Sequence, residues 1–137
     1  MIGAASVVTD TEGRVLLVHH TYGERNWELP GGRGGPAESA EDTARREARE
    51  EVGVELEIER LTGVYWEPDQ CMHHFVFRAR ALGEPRAADA AEIGECGWFA
   101  ADALPRPISD LTVRRIADAL AGSPPAVATI AGRTWIR

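Results

Sequence analysis

The sequence predicts a mixed α/β fold, an α/β/α sandwich in which helices cover both sides of a mixed central sheet. Three observations predict it: two β-branched apolar runs open the chain, a helix with alanines four apart follows a glycine-rich stretch, and further strand-like segments lead to a second helix. The 137 residues leave room for one domain, 1–137, with a core over about 3–122 and a tail over 123–137.

Ile2 to Thr9 and Val15 to His20 read as two strands joined by Asp10-Thr11-Glu12-Gly13, which has the turn chemistry of a hairpin. After a polar loop, Trp27 to Leu29 runs as a short strand into Pro30-Gly31-Gly32. Proline enforces an extended approach there and glycines permit positive φ, so the strand is expected to stop and the backbone to turn sharply. From Glu38 to about Val52 the pattern is helical, with Ala40, Ala44 and Ala48 on one face, suited to close packing on a sheet, and Pro36 and Gly53 punctuating its ends. Val54 to Trp66, Met72 to Leu82 and Cys96 to Phe99 follow as strands. The stretch from Gly83 to Gly94 is a loop. A second helix is expected from Ser109 to Leu120, with Leu111, Ile116 and Leu120 turned inward and Ser109 or Asp110 as cap. In the tail, Val127 to Ile130 and Thr134 to Ile136 are expected to form a hairpin.

Composition excludes several classes of function. The apolar fraction of 44% and charged fraction of 27% are those of an ordinary water-soluble domain. No apolar run reaches the roughly 18 to 20 residues needed to span a bilayer. The opening MIGAASVVTD lacks a basic segment and a cleavage site, so the cytoplasm is the expected compartment, with no membrane partner. Two cysteines, Cys71 and Cys96, are too few for a disulfide framework and are expected as free thiols. A net charge of −7 disfavours a nucleic-acid polymer as partner. An acidic protein that binds phosphate needs positive charge from arginines, helix amides or a metal ion held by its carboxylates.

The chemistry concentrates in Gly32 to Val54, GRGGPAESAEDTARREAREEVGV. On a helix, Glu47 to Glu50 is an i,i+3 step and Glu47 to Glu51 an i,i+4 step, so three carboxylates share one side and repel one another unless a cation sits among them. Carboxylate oxygens match hard divalent ions such as magnesium or manganese, which keep waters for a phosphate to replace. Arg46 is placed to orient a carboxylate or touch phosphate. An isolated REAREE would read simply as a salt-bridged, solvated helix face; the register with Gly32, Glu38 and Gly53 makes it more than that.

That register resembles the Nudix box, G-x5-E-x7-R-E-U-x-E-E-x-G-U with U aliphatic, at all seven fixed letters; Ala48 stands where the family usually carries a larger aliphatic residue. The lead-in Trp27-Glu28-Leu29-Pro30-Gly31-Gly32 and the late segment Glu92 to Phe99 followed by Leu104-Pro105 resemble the family as well. The resemblance implies a hydrolase that cleaves a pyrophosphate link with one to three divalent cations. It implies Glu47, Glu50, Glu51 and the Gly31 carbonyl as metal ligands (Mg2+ or Mn2+), Glu50 as base, and Glu38 as the residue holding the loop. Glu92 and Glu95 are candidates for a further carboxylate at the substrate.

Trp27, Trp66 and Tyr65 could stack on a base or simply fill the core, whereas Trp98 and Trp135 are expected to be structural. His19-His20 and His73-His74 cannot chelate as pairs, because neighbours on a strand face opposite sides; one of each pair is expected in the core or a cleft. The substrate expected first is ADP-ribose or a sugar nucleotide, because Pro68 lies about one residue from where ADP-ribose-cleaving relatives carry a proline. A (deoxy)nucleoside triphosphate is the alternative. A module that binds nucleotides without cleaving them has no need of all three carboxylates. The sequence leaves a homodimer open.

Overall fold

The computed structural model describes residues 1–137. The chain runs β1 (Ile2–Val8), β2 (Val15–His20), β3 (Trp27–Glu28), β4 (Gly31–Arg33), α1 (Ala40–Val52), β5 (Leu56–Glu67), β6 (Met72–Ala81), β7 (Ile93–Phe99), β8 (Ile108–Ser109), α2 (Asp110–Leu120), β9 (Ala126–Thr129) and β10 (Trp135–Ile136). A short 3₁₀ turn, Pro68–Gln70, links β5 to β6. The strands divide into two mixed sheets, in the orders β4-β1-β6-β5-β9 and β10-β8-β3-β2-β7. In the first, β1 runs parallel to β6 and antiparallel to β4.

Period-2 alternation along the central strands fills both faces. Val7 of β1 and Val15 and Leu17 of β2 pack with Leu111, Ile116 and Ala119 of α2. Their neighbours Val8, Leu16 and Val18 pack with Ala48 and Val52 of α1. One helix therefore covers each face, the layering the residue pattern predicts. The alanine stripe lets α1 approach closely, since Ala44 and Ala48 are buried against β1, β6 and β2. Ser39 caps α1 by accepting from the Asp42 amide at 3.1 Å, and Gly53 ends it at φ +67°, a left-handed conformation that glycine adopts without steric cost. Ser109 caps α2 in the same way through the Thr112 amide.

Three local expectations are corrected. The Asp10 turn forms, with Asp10 accepting from the amides of Glu12 and Arg14, but β1 and β2 enter different sheets and the chain pairs across the turn at one bridge, Thr9 to Val15. Both flanks are apolar on both faces, and such strands can be buried in separate sheets instead of pairing across their turn. Gly31 and Gly32 do not turn at positive φ; they continue as β4, paired opposite Ala5 and Ala4. The tail strands do not pair as a hairpin either: β9 adds to β5 in parallel and β10 adds to β8 antiparallel, so the tail ties the two sheets together.

No helix is long and apolar enough to cross a membrane. Both cysteines are free, Cys71 exposed and Cys96 half-buried. Ala48 has no exposure at all, so Ala48→Leu should lower unfolding stability by roughly 1–3 kcal/mol through overpacking under α1, measured by urea denaturation.

Candidate functional site

The site begins with the reason for two glycines. A Cβ on Gly31 would lie 2.5 Å from the Ala4 carbonyl oxygen, and one on Gly32 would lie 2.5 Å from Glu47 Oε1. Close approach, not turn geometry, excludes a side chain here. With none present, β4 lies flush between β1 and the acidic edge of α1, and the Gly31 amide donates to Glu51 Oε1 at 2.8 Å.

Arg46 clasps the loop to the helix. Its Nε donates to Glu38 Oε2 at 2.9 Å, Nη2 donates to the Arg33 carbonyl at 2.9 Å, and Nη1 reaches Glu47 Oε1 at 3.1 Å and Glu50 Oε2 at 3.2 Å. Glu38 also accepts from Thr43 Oγ1 and the Gly35 amide. Its hydrogen bonds, that from Arg46 foremost, hold its carboxyl down to about 2, while Arg46 is raised well above its usual value by the same contact. Arg46 thus acts as a strut between carboxylates.

Three carboxylates share this edge but are graded in burial. Glu51 is buried, the Glu47 side chain is 15% exposed and that of Glu50 is 54% exposed. Burial pushes Glu51 up to about 8, aided by the charges of Glu47, Glu28 and Glu92. Burial likewise raises Glu47 against the pull of Arg46, and the charges of Glu50 and Glu92 add to the rise. No three acidic, histidine or cysteine side chains converge as a ready-made ligand set; Glu47 and Glu50 meet through Arg46 instead. The donor chemistry nonetheless fits a divalent ion. Glu51 is a buried carboxylate with one amide and no cationic partner, beside a second carboxylate with a raised pKa, and positive charge is what that arrangement lacks.

Beside β4 opens a cleft of about 520 Å³, within the range that holds small-molecule ligands. Its lining includes Gly31, Gly32 and Arg33 of β4, together with His20, Tyr22, His74, Arg115, Arg133 and Trp135. Tyr22 is 53% exposed and stacks on His20 at 4.8 Å. Glu28, which also lines the cleft, accepts from Arg115 Nη2 at 2.6 Å, from Thr112 Oγ1 at 2.7 Å and from the Leu29 amide. Burial would push Glu28 up, but these partners hold it below its usual value. A second network joins Glu67 to His74 Nε2 at 2.6 Å and to Arg133 Nε at 3.2 Å.

Of the residues singled out in the sequence, Glu92 is exposed and does not line the cleft, although its charge helps to raise Glu47, Glu51 and Tyr22. Glu95 turns away, 3.5 Å from His19. Trp27 is a correction: it is buried, one face stacked on His19 and its ring edge-on to Phe99, so it offers no surface to a base. Trp66 packs on His73 in a separate pocket, and Tyr65 is fully buried with its hydroxyl donating to Asp118 Oδ2. The cleft's aromatic walls are Tyr22 and Trp135, the latter expected only as structural. His20 and His74, one from each histidine pair, line the cleft as expected. Arg33, Arg115 and Arg133 carry no sequence signal that separates them from other arginines.

Residues 1–119 match the NUDIX domain family model. The chain belongs to the Nudix family. Two relatives bear on the activity of this Nudix hydrolase. A Bacillus subtilis protein named a putative 8-oxo-dGTP diphosphatase is 34% identical over 75% of this chain and 68% of its own length. A Mycobacterium tuberculosis protein named ADP-ribose pyrophosphatase is 32% identical over 71% of this chain and 52% of its own length. Among solved structures, a MutT Nudix hydrolase from Burkholderia pseudomallei superposes with a TM-score of 0.77 at 30% identity, covering 85% of this chain and 95% of its own.

Because only the tip of Glu47 opposes a Cβ at position 32, Gly32→Ala should spare the fold yet displace that carboxylate. Calorimetric titration with Mn2+ should then show affinity reduced by roughly ten- to a hundredfold, with the melting temperature little changed.

Proposed function

We propose that this Nudix hydrolase is a divalent-metal-dependent pyrophosphohydrolase of nucleoside phosphates, with (deoxy)nucleoside triphosphates as its substrate class. The observation that carries the reading is a shared wall: Gly31 and Gly32 line the cleft on one side, while Glu51 and Glu47 lie against the same two residues. A phosphate chain entering the cleft is thereby brought beside the acidic edge of α1.

Glu47, Glu50 and Glu51, with the Gly31 carbonyl, would hold the metal. When bound, a divalent ion offsets charge on phosphate oxygens and makes a water more acidic. This chain's own groups do the rest. Glu50, the most exposed of the three, accepts the proton of the attacking water. The water oxygen forms a new bond to phosphorus as the bridging P–O bond breaks, and the leaving phosphate departs with the electron pair. Arg33 at the cleft mouth offers positive charge to the phosphates, and Arg46 fixes the positions of Glu47 and Glu50.

The substrate class rests on two observations. Pro68, the residue that favoured ADP-ribose, starts the 3₁₀ turn and does not line the cleft, whereas Gln70 and Met72 beyond it do. The relative named for a nucleoside triphosphate also shares a larger fraction of its length with this chain than the one named for ADP-ribose. A nucleoside diphosphate sugar is the second reading, favoured by the latter relative.

Phosphate and pyrophosphate release over a panel of nucleoside triphosphates, ADP-ribose and sugar nucleotides should show turnover with Mg2+ or Mn2+ and none with EDTA. Silence across the panel would mean a binding module. Glu50→Gln should lower kcat by about 10²–10⁴-fold while nucleotide affinity, read by calorimetry, persists; turnover at the wild-type rate would remove Glu50 from the mechanism.

A further inference from the structure

The family match ends at residue 119, yet two walls of the cleft come from beyond it. Arg133 lies between β9 and β10, and Trp135 lies on β10 itself. The segment is firmly seated: the Thr134 amide donates to Asp110 Oδ1 at 3.0 Å, the Asp110 amide donates to the Thr134 carbonyl at 2.9 Å, and the Ile130 amide donates to the Trp66 carbonyl at 2.8 Å.

Arg133 is held in one orientation. Its Nε and Nη2 both donate to Glu67, each at 3.2 Å, and His74 braces the same carboxylate. The guanidinium has a second donor edge, Nη1 with the remaining N–H of Nη2. Glu28 Oε2 is the acidic group near it, at 3.7 Å, beyond hydrogen-bond range. The side chain is 22% exposed and lines the cleft, so this edge has donors to spare at the cavity. Beside it, the guanidinium of Arg115 is 4% exposed, and its Nε has no partner. That Nε is closed off from the cleft, so the donors that face a ligand there are those of Arg133.

We propose that residues 126–137 form the nucleoside-end wall of the cleft, with Arg133 as a specificity-determining donor to a base that presents carbonyl acceptors, and Trp135 as its stacking surface. The proposal rests on the reading of this cleft as a nucleotide site. Position decides which end of the substrate this is. Arg133 and Arg115 gather at Glu28, on β3, whereas the acidic edge of α1 meets the cleft at Gly31 and Gly32, on β4. The phosphates belong with β4, which leaves the nucleoside at β3 and the tail. A fixed pair of arginine donors matches adjacent acceptors such as O6 and N7 of guanine; adenine offers a donor at the corresponding position. An indole face binds any base and adds affinity without choosing between them.

The test uses the full chain with Arg133→Gln, Arg133→Lys, Trp135→Ala and Trp135→Phe. Steady-state kinetics with dGTP and dATP are paired with calorimetric binding of dGTP and dGMP. Trp135→Ala and Arg133→Gln should each raise KM for dGTP about tenfold with kcat within about threefold, and weaken dGMP binding in parallel. Arg133→Gln should also narrow the preference for dGTP over dATP, and the Phe and Lys variants should recover most of the affinity. KM and affinity unchanged in both variants, a fall in kcat alone, or a Phe variant as impaired as the Ala variant would overturn the proposal. Should Trp135→Ala fail to fold, Arg133→Gln and its Lys counterpart decide. A wild-type chain that binds dGTP through these residues but hydrolyses nothing refutes the hydrolase reading and leaves this one standing.

Discussion

The absence of a side chain at Gly31 and Gly32 is the constraint on which the site depends. The strand lies flush between β1 and the acidic edge of α1 because a Cβ on Gly31 would strike the Ala4 carbonyl, and the Glu47 carboxylate keeps its place because a Cβ on Gly32 would push it aside. The same flush approach brings the Gly31 amide to Glu51. Helix, strand and cleft are therefore registered by one contact, and the buried alanines of α1 serve the same closeness on the helix side.

The second organising force is electrostatic. A chain of net charge −7 must still welcome an anion, and it does so by tethering arginines to carboxylates. Arg46 is bound by Glu38, Glu47 and Glu50, Arg115 by Glu28, and Arg133 by Glu67. Each tether removes side-chain freedom before a ligand arrives, so less ordering remains to be done on binding. Glu51 alone among the buried carboxylates of the site has no such partner, which singles it out as the position most in want of a cation.

The acidic helix was legible in the sequence because its information is local. Spacing alone places Glu47, Glu50 and Glu51 on one edge, Gly53 ends the helix, and Ala44 and Ala48 face the core. The cleft was far less legible. Its walls come from Tyr22, His74, Arg115, Arg133 and Trp135, spread over more than a hundred residues of chain, and no spacing links them. Trp27 misled because an aromatic residue beside the box has the right composition for a base platform, while its register on β3 points it at His19 and Phe99. Both hairpin expectations failed for one reason: turn chemistry at Asp10 and strand propensity in the tail are local, whereas the choice of sheet is made by distant partners.

The way the tail is threaded has a consequence in time. β9 can settle only once β5 is in place in one sheet, and β10 only once β8 is in place in the other. These are long-range pairings, which form late in folding. Synthesis runs from the N-terminus, so the acidic helix and its glycine strand emerge well before residues 126–137, and the two ends of the cleft lining are assembled one after the other.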